Sequence, residues 1–466
     1  MVDEKRNGVS ANMSGAIIGG RRYRAVPGAE KGIFSEDKNH DLVLVQRHKN
    51  ADDIAYRTLM NEIMIRCIDG GNNHSDQSSI EEEFAEVAGR SRRFRSIIFP
   101  FNRLKGENEK KETCSYTVAE LPDDFCDKYK TIDSVFGKGN FAFHSRVITA
   151  LNLAEVFFFL ENYFYGYLTC LVPEAIYINT DDGDVRIIID RLLSRDIELP
   201  GENTEYLRIV CGDEDTINRS DLLRYLAYAS FRLICIENPY DGKGALIEFP
   251  LLTNNAYKAI NSGKYGFIFS ETKDEYSEYI DKETYQRWNF LPGKIKDVFS
   301  AVLDNKGDAL DVGEWLKNMR ILRDCLVLVN GQFKLCDPDV SNKVSFLVSD
   351  DYYIPVWPRK ALYWYHVGIP VDNVTKEVVA GINNDGYIEN MTDEQWVVEN
   401  KSHLAYLAPG KSIKPEMGMD IEINNTHFKV VSGEKAVRTG VDLGEPPDYS
   451  AFSIKQDIDI IDLNEE

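Results

Sequence analysis

The chain has 466 residues, 43% of them hydrophobic, which is too long for one ordinary domain and suits two or three with real cores. Asp and Glu number 76 against 54 Lys and Arg, and the resulting net charge of −22 repels nucleic acid and anionic membrane surfaces. No run is expected to span a bilayer, since Val156–Leu160 is a short apolar burst inside an aromatic helix; MVDEKRNGVS also lacks an apolar signal core, so a cytoplasmic protein is expected. The eight cysteines, at 67, 114, 126, 170, 211, 235, 325 and 336, form no Cys-x-x-Cys and have no His at ligand spacing. Reduced, mostly buried thiols are expected, and no metal other than nucleotide-bound Mg²⁺.

Taken in order, residues 1–20 are rich in Gly, Ser and Asn and read as a mobile arm. Tyr23–Phe34 carries Gly28 and Gly32, and Asp41–Arg47 reads as a strand with Gln46 at its centre and Arg47 and Lys49 as nearby cations. Ile54–Ile68 is helical by spacing and bears Glu62, whose plainest reading is an exposed carboxylate. The basic run Arg90–Arg95 reads as a solvated approach to a strand, and Phe94–Leu104 and Ser115–Leu121 read as two strands. Phe141–Tyr165 has the spacing of a buried central helix, with His144 near its start as a capping or surface residue.

Ile176–Asn179 and Val185–Ile189 predict a hairpin across Thr180–Asp184, in which Gly183 supplies a positive φ. Asp190 then stands where strand becomes loop, a common place for a carboxylate that grips a metal ion, caps a turn or pairs with the adjacent Arg191. Ser220–Cys235 predicts a second strong helix with Asp221 in its first turn. Cys325 and Cys336 bracket a plain hairpin, because two further zinc ligands are missing. From Lys343 short alternating strands predict a β-sandwich over 343–435, and residues 441–466 read as an acidic flexible tail.

Gly166–Leu192 resembles the catalytic segment of a protein-kinase fold. On that resemblance Leu168–Ala175 takes the place of the catalytic loop and Asp190-Arg191-Leu192 that of Asp-Phe-Gly. Cys170 then stands at the catalytic-base position and Ala175 at that of the second metal ligand, jobs that a neutral thiol and a methyl group cannot do. Asn238-Pro239-Tyr240-Asp241-Gly242 resembles the usual Pro-x-x-Gly exit of that fold, and Ile97-Ile98-Phe99-Pro100, Trp288-Asn289-Phe290-Leu291-Pro292 and the Trp315 helix are similar to a bacterial branch of kinase-like proteins. Gly381–Val431 resembles a forkhead-associated module, without that family's Gly-Arg and Ser-x-x-His phosphothreonine motifs.

The resemblance implies an α+β chain. A two-lobed protein-kinase-like fold, with its small lobe over 21–121 and its large lobe over 122–340, is followed by the β-sandwich. It implies a catalytically inactive pseudokinase, a scaffold or allosteric regulator in a bacterial signalling or stress-response system. Protein partners of von Willebrand A-type and PP2C-type phosphatase kinds are implied with it. Gly28, Gly32, Gln46, Arg47, Glu62 and Asp190 would be a vestigial nucleotide cleft, with Asp190 the metal ligand of any bound Mg²⁺. No cofactor is expected on this reading. The alternative is a divergent but active serine/threonine kinase or nucleotidyl transferase that uses ATP and Mg²⁺.

Overall fold

The computed structural model describes residues 16–18, 21–26, 33–36, 42–48, 96–100, 102–107, 113–137, 141–193, 209–210, 216–240, 266–270, 280–304, 310–329, 331–336, 344–368, 378–401 and 403–432. They form a mixed α+β structure with several sheets.

The first sheet is antiparallel and built from β1 (Ala16–Ile18), β2 (Arg21–Ala25), β3 (Ile33–Glu36), β4 (Leu42–His48), β6 (Asn102–Glu107) and β7 (Thr113–Glu120), in the order β1-β2-β3-β4-β7-β6. Ala16–Ile18 thus lie in a strand, within the stretch expected to be an arm. Leu42 to Val45 are all buried, which places β4 in the interior on both of its faces. The single strand expected over Phe94–Leu104 is instead divided into β5 (Ile97–Ile98) and β6, on either side of Pro100. Proline has no N–H to give a ladder, so the break falls there.

A second sheet, β5-β11-β10-β8, collects β8 (Tyr129–Thr131), β10 (Ile176–Asn179) and β11 (Val185–Ile188) beside β5. β10 and β11 pair as the expected hairpin, while β5 joins β11 in parallel, Ile97 opposite Ile187. Gly183 turns the hairpin at φ +76°, its N–H donating to Asn179 O at 2.9 Å. Asn152 Nδ2 holds the turn from below by donating to Gly183 O at 2.8 Å.

Eight helices lie among the described residues: α1 (Phe125–Lys128), α2 (Ile132–Val135), α3 (Phe143–Phe164), α4 (Asp190–Leu193), α5 (Arg219–Cys235), α6 (Lys282–Phe290), α7 (Gly293–Leu303) and α8 (Val312–Asp324). α3 packs against α5 and α8, and Phe157 stacks on Tyr225 at 5.8 Å. Its apolar residues run all round the helix, as a core helix requires. By length and composition α3 could also cross a membrane, contrary to the expectation that no segment is long enough; here most of it is buried inside the protein.

His144, in the first turn of this helix, is buried and stacked on Phe333 at 4.3 Å, rather than standing at the surface as its position near a helix start suggests. Phe333 belongs to a hairpin of β13 (Leu326–Val329) and β14 (Gln332–Leu335), the element expected between Cys325 and Cys336. Two turns of chain are tied by Arg146, which donates to the carbonyls of Phe141, Leu233 and Gly137 at 2.8, 3.1 and 2.7 Å. Burial lowers the pKa of its guanidinium to about 10.

The remaining strands are β15 (Ser345–Val348), β16 (Tyr353–Pro355), β17 (Ala361–Tyr363), β18 (Val378–Ile382), β19 (Ile388–Asn390), β20 (Trp396–Asn400), β21 (His403–Leu407), β22 (Ser412–Ile413), β23 (Asp420–Ile423) and β24 (Thr426–Ser432). They make a six-stranded sheet, β16-β15-β24-β23-β20-β21, and a four-stranded one, β17-β18-β19-β22. Phe346, Ile354, Phe428 and Val430 of the first and Leu362, Val379 and Ile388 of the second are buried. The buried Asn390 is fully used: its Nδ2 donates to Glu394 O and Leu407 O, and its Oδ1 accepts from Thr392 N and Oγ1.

α8 is seamed to these sheets. β16 packs on it, and Arg320 and Arg323 lie over the Tyr365 ring, at 4.1 and 5.7 Å. Asp324 ends the helix under the turn Trp364–Val367, accepting from Arg323 and from His366 Nε2 at 2.8 Å. Because Tyr363 N donates to His366 Nδ1 at 2.9 Å, the proton of a neutral imidazole sits on Nε2 and points at Asp324. Burial opposes ionisation of Asp324, but Arg323 and His366 beside it hold its carboxyl down at about 2.

Candidate functional site

The strand-end carboxylate of the sequence lies at the N-terminus of α4, immediately after β11, and is completely buried. Two stretches converge on it. One runs from Leu168 through β9 (Cys170–Leu171) and the single 3₁₀ turn Pro173–Ala175; the other is Ile189–Leu193.

The two stretches are laced together by hydrogen bonds. Thr169 N donates to Leu192 O at 2.9 Å, and the Cys170 thiol donates to Arg191 O at 2.9 Å. Arg191 reaches back the other way, its guanidinium donating to Glu174 O and, at 3.0 Å, to the Tyr177 hydroxyl. Cys170, Ala175, Asp190 and Arg191 are each at most 5% exposed, so these four residues are shielded from solvent. On the far side β12 (Ile209–Val210) pairs with β9, and Ile217 N donates to Leu168 O at 2.7 Å.

The residues beneath are buried as well. Tyr225 of α5 is buried beneath Glu174 and Cys170, and burial, with Glu174, Asp133, Tyr228 and Cys170 adding to it, pushes its hydroxyl well above its ordinary value. A phenol in that state is neutral and cannot serve as a proton acceptor near neutral pH. Asp221 lies in the first turn of α5, where its own N–H is capped by the Asn218 side chain at 2.8 Å.

The structure therefore brings Cys170, Ala175 and Asp190 together. Gln46 and Arg47 lie on β4 opposite Thr117 and Tyr116. Gly28, Gly32, Lys49 and Glu62 lie outside the described residues, as do the basic run 90–95 and the acidic tail. Sequence reasoning missed what Arg191 does, weighing it as a partner for Asp190 and as the middle residue at the Asp-Phe-Gly position; the signal available was a long cation placed between an apolar hairpin and Leu192. Among the described residues no group of three or more His, Cys, Asp or Glu side chains is placed to hold a metal ion.

No protein-family model matches the chain, and no curated protein matches it. Among solved structures it is similar to the Toxoplasma gondii specific rhoptry antigen kinase domain, at 13% identity and a TM-score of 0.26, over 63% of this chain and 88% of that one.

Proposed function

We propose that this chain is a two-lobed protein-kinase-like protein without phosphotransfer activity, followed by a β-sandwich, and that it works as a scaffold or allosteric regulator of protein partners. The observation that carries the reading is the closure at Asp190. The carboxylate that would hold nucleotide-bound Mg²⁺ has no exposed surface, the adjacent Arg191 bonds the turn that would be the catalytic loop, and the base and second-ligand positions are Cys170 and Ala175. A general base contributes roughly 10²–10⁴ in rate, and neither side chain supplies a base or a metal ligand.

Support for the kinase-like arrangement comes from order along the chain. An antiparallel sheet precedes a buried helix, α3, then a short strand, a turn, a hairpin, a buried Asp and a second buried helix, α5. Partners of von Willebrand A-type and PP2C-type are proposed on the resemblance of the sequence alone. The test is a thermal-shift and calorimetric titration of the full chain with ATP, with and without Mg²⁺. The expected result is weak or no binding. Micromolar Mg-ATP affinity that is weakened by charge reversal at Arg47 or Lys49 would overturn the reading and favour an enzyme.

A further inference from the structure

Among the described residues the two edge strands of the six-stranded sheet differ in what packs against them. β16, at one end, is covered by α8, whereas β21, at the other, is paired only with β20 among the described residues. The hairpin between them closes on Asn400 and His403 around a two-residue loop in which Lys401 has φ +48°. A two-residue loop closes on a hydrogen-bonded pair, and such pairs alternate along the ladder. Asn400–His403, Val398–Ala405 and Trp396–Leu407 are therefore the bonded pairs, and the N–H and C=O groups of Leu404 and Tyr406 turn outward from the free edge.

The side chains on this edge are also unusual. Leu404 is 60% exposed and Tyr406 65%, on the same face of the strand, and no residue from Leu404 to Leu407 is charged or a proline. Those are the devices by which an edge strand is normally kept from pairing with another chain. Their absence is paired with self-complementarity. If two β21 strands meet antiparallel about a two-fold axis at Ala405, Leu404 of each lies opposite Tyr406 of the other. The outward backbone groups of those residues then form the bonded pairs. Each aliphatic–aromatic pair is a favourable cross-strand neighbour, and the small Ala405 sits at the axis where the strands approach most closely. Lys401 would face Pro409, so no like charges meet.

We propose that β21 is the edge through which a second copy of this chain joins, in an isologous antiparallel pairing centred on Ala405 that continues the sheet across the two-fold axis. Leu404 and Tyr406 offer roughly 200–300 Å² per protomer, short of the roughly 800 Å² per partner of a standard stable interface. The association is accordingly weak and concentration-dependent. Because each protomer carries a net charge of −22, it strengthens as salt screens the repulsion.

The test combines sedimentation with hydrogen exchange on the full chain at increasing concentrations. The expected outcome is a monomer–dimer equilibrium that tightens with salt, is weakened tenfold or more by Tyr406→Lys, and protects the amides of Leu404 and Tyr406 progressively as concentration rises. An Ala405→Cys chain under mild oxidation gives a disulfide-linked dimer, whereas Lys429→Cys, exposed in the middle of the same sheet, does not. Protection that is independent of concentration overturns the proposal in either form: high protection means that another part of this chain covers the edge, and low protection that the edge stays bare. Dimers unaffected by Tyr406→Lys and not linked through Ala405→Cys overturn it as well.

Discussion

Gly183 and Gly331 have the same φ, +76°, yet different surroundings, and substituting each by alanine separates two costs that are usually confounded. A left-handed conformation costs a residue with a Cβ about 1–2 kcal/mol, partly offset by the entropy that alanine removes from the unfolded chain, about 0.4–1 kcal/mol. Gly331→Ala meets nothing within 4 Å and should lose about 1 kcal/mol or less. A Cβ on Gly183 would stand 2.9 Å from Thr149 Oγ1, 3.1 Å from Thr149 N and 3.2 Å from Ile148 Cγ2. Two of these atoms can give way, but the amide of Thr149 belongs to α3, so the hairpin must lift off the helix. Overpacking of that kind adds about 1–3 kcal/mol. Gly183→Ala is therefore expected to cost about 2–4 kcal/mol in all. At about 2–4 °C per kcal/mol for a cooperative unit of 150–250 residues, differential scanning calorimetry should place its melting temperature several degrees below that of Gly331→Ala. Equal losses for the two variants would refute the contact argument and leave backbone strain as the whole effect.

Other outcomes follow from buried charge. Burial pushes His144 from 6.5 down to about 4, so the fold favours its neutral form; its contribution is complete above pH 6.5 and is lost as pH falls toward 4. Between pH 7 and 5 that loss is worth about 2 kcal/mol, and His144→Phe, which keeps the ring against Phe333, should flatten the decline in melting temperature over that window. Asp324→Ala strips the counter-charge from Arg323 and the acceptor from His366 Nε2, and should cost about 3–5 kcal/mol by chemical denaturation. Arg191→Met leaves Glu174 O and the Tyr177 hydroxyl without this donor, for about 2–4 kcal/mol, and should bring no Mg-ATP binding with it.

The hairpin around Gly183 and helices α3 and α5 were legible because each is local: alternation, a glycine turn and apolar spacing are written into a dozen or so consecutive residues. The strands after Lys343 were legible for the same reason. What escaped was decided across the chain. His144 stacks on Phe333, which comes from a hairpin far along the chain, and nothing within a few residues of either announces the contact. Arg191 looked like a broken motif until Glu174 and Tyr177 were seen to receive its guanidinium, the first from a turn seventeen residues earlier. At the candidate site, the identities of Cys170 and Ala175 were readable. That Asp190 beside them is sealed could not be read, since burial belongs to the assembled core.

The two-residue strand β5 bears on how the chain is made. Ile97 pairs in parallel with Ile187, so ninety residues must be synthesised after it before its partner exists. At about 5–20 residues per second that is a wait of roughly 5–18 s on the ribosome before Ile97, in the apolar segment Ile97–Phe99, has its strand partner. A nascent chain stalled before β11 should present this apolar segment to holdase chaperones, and release should come only when the hairpin turning at Gly183 has emerged.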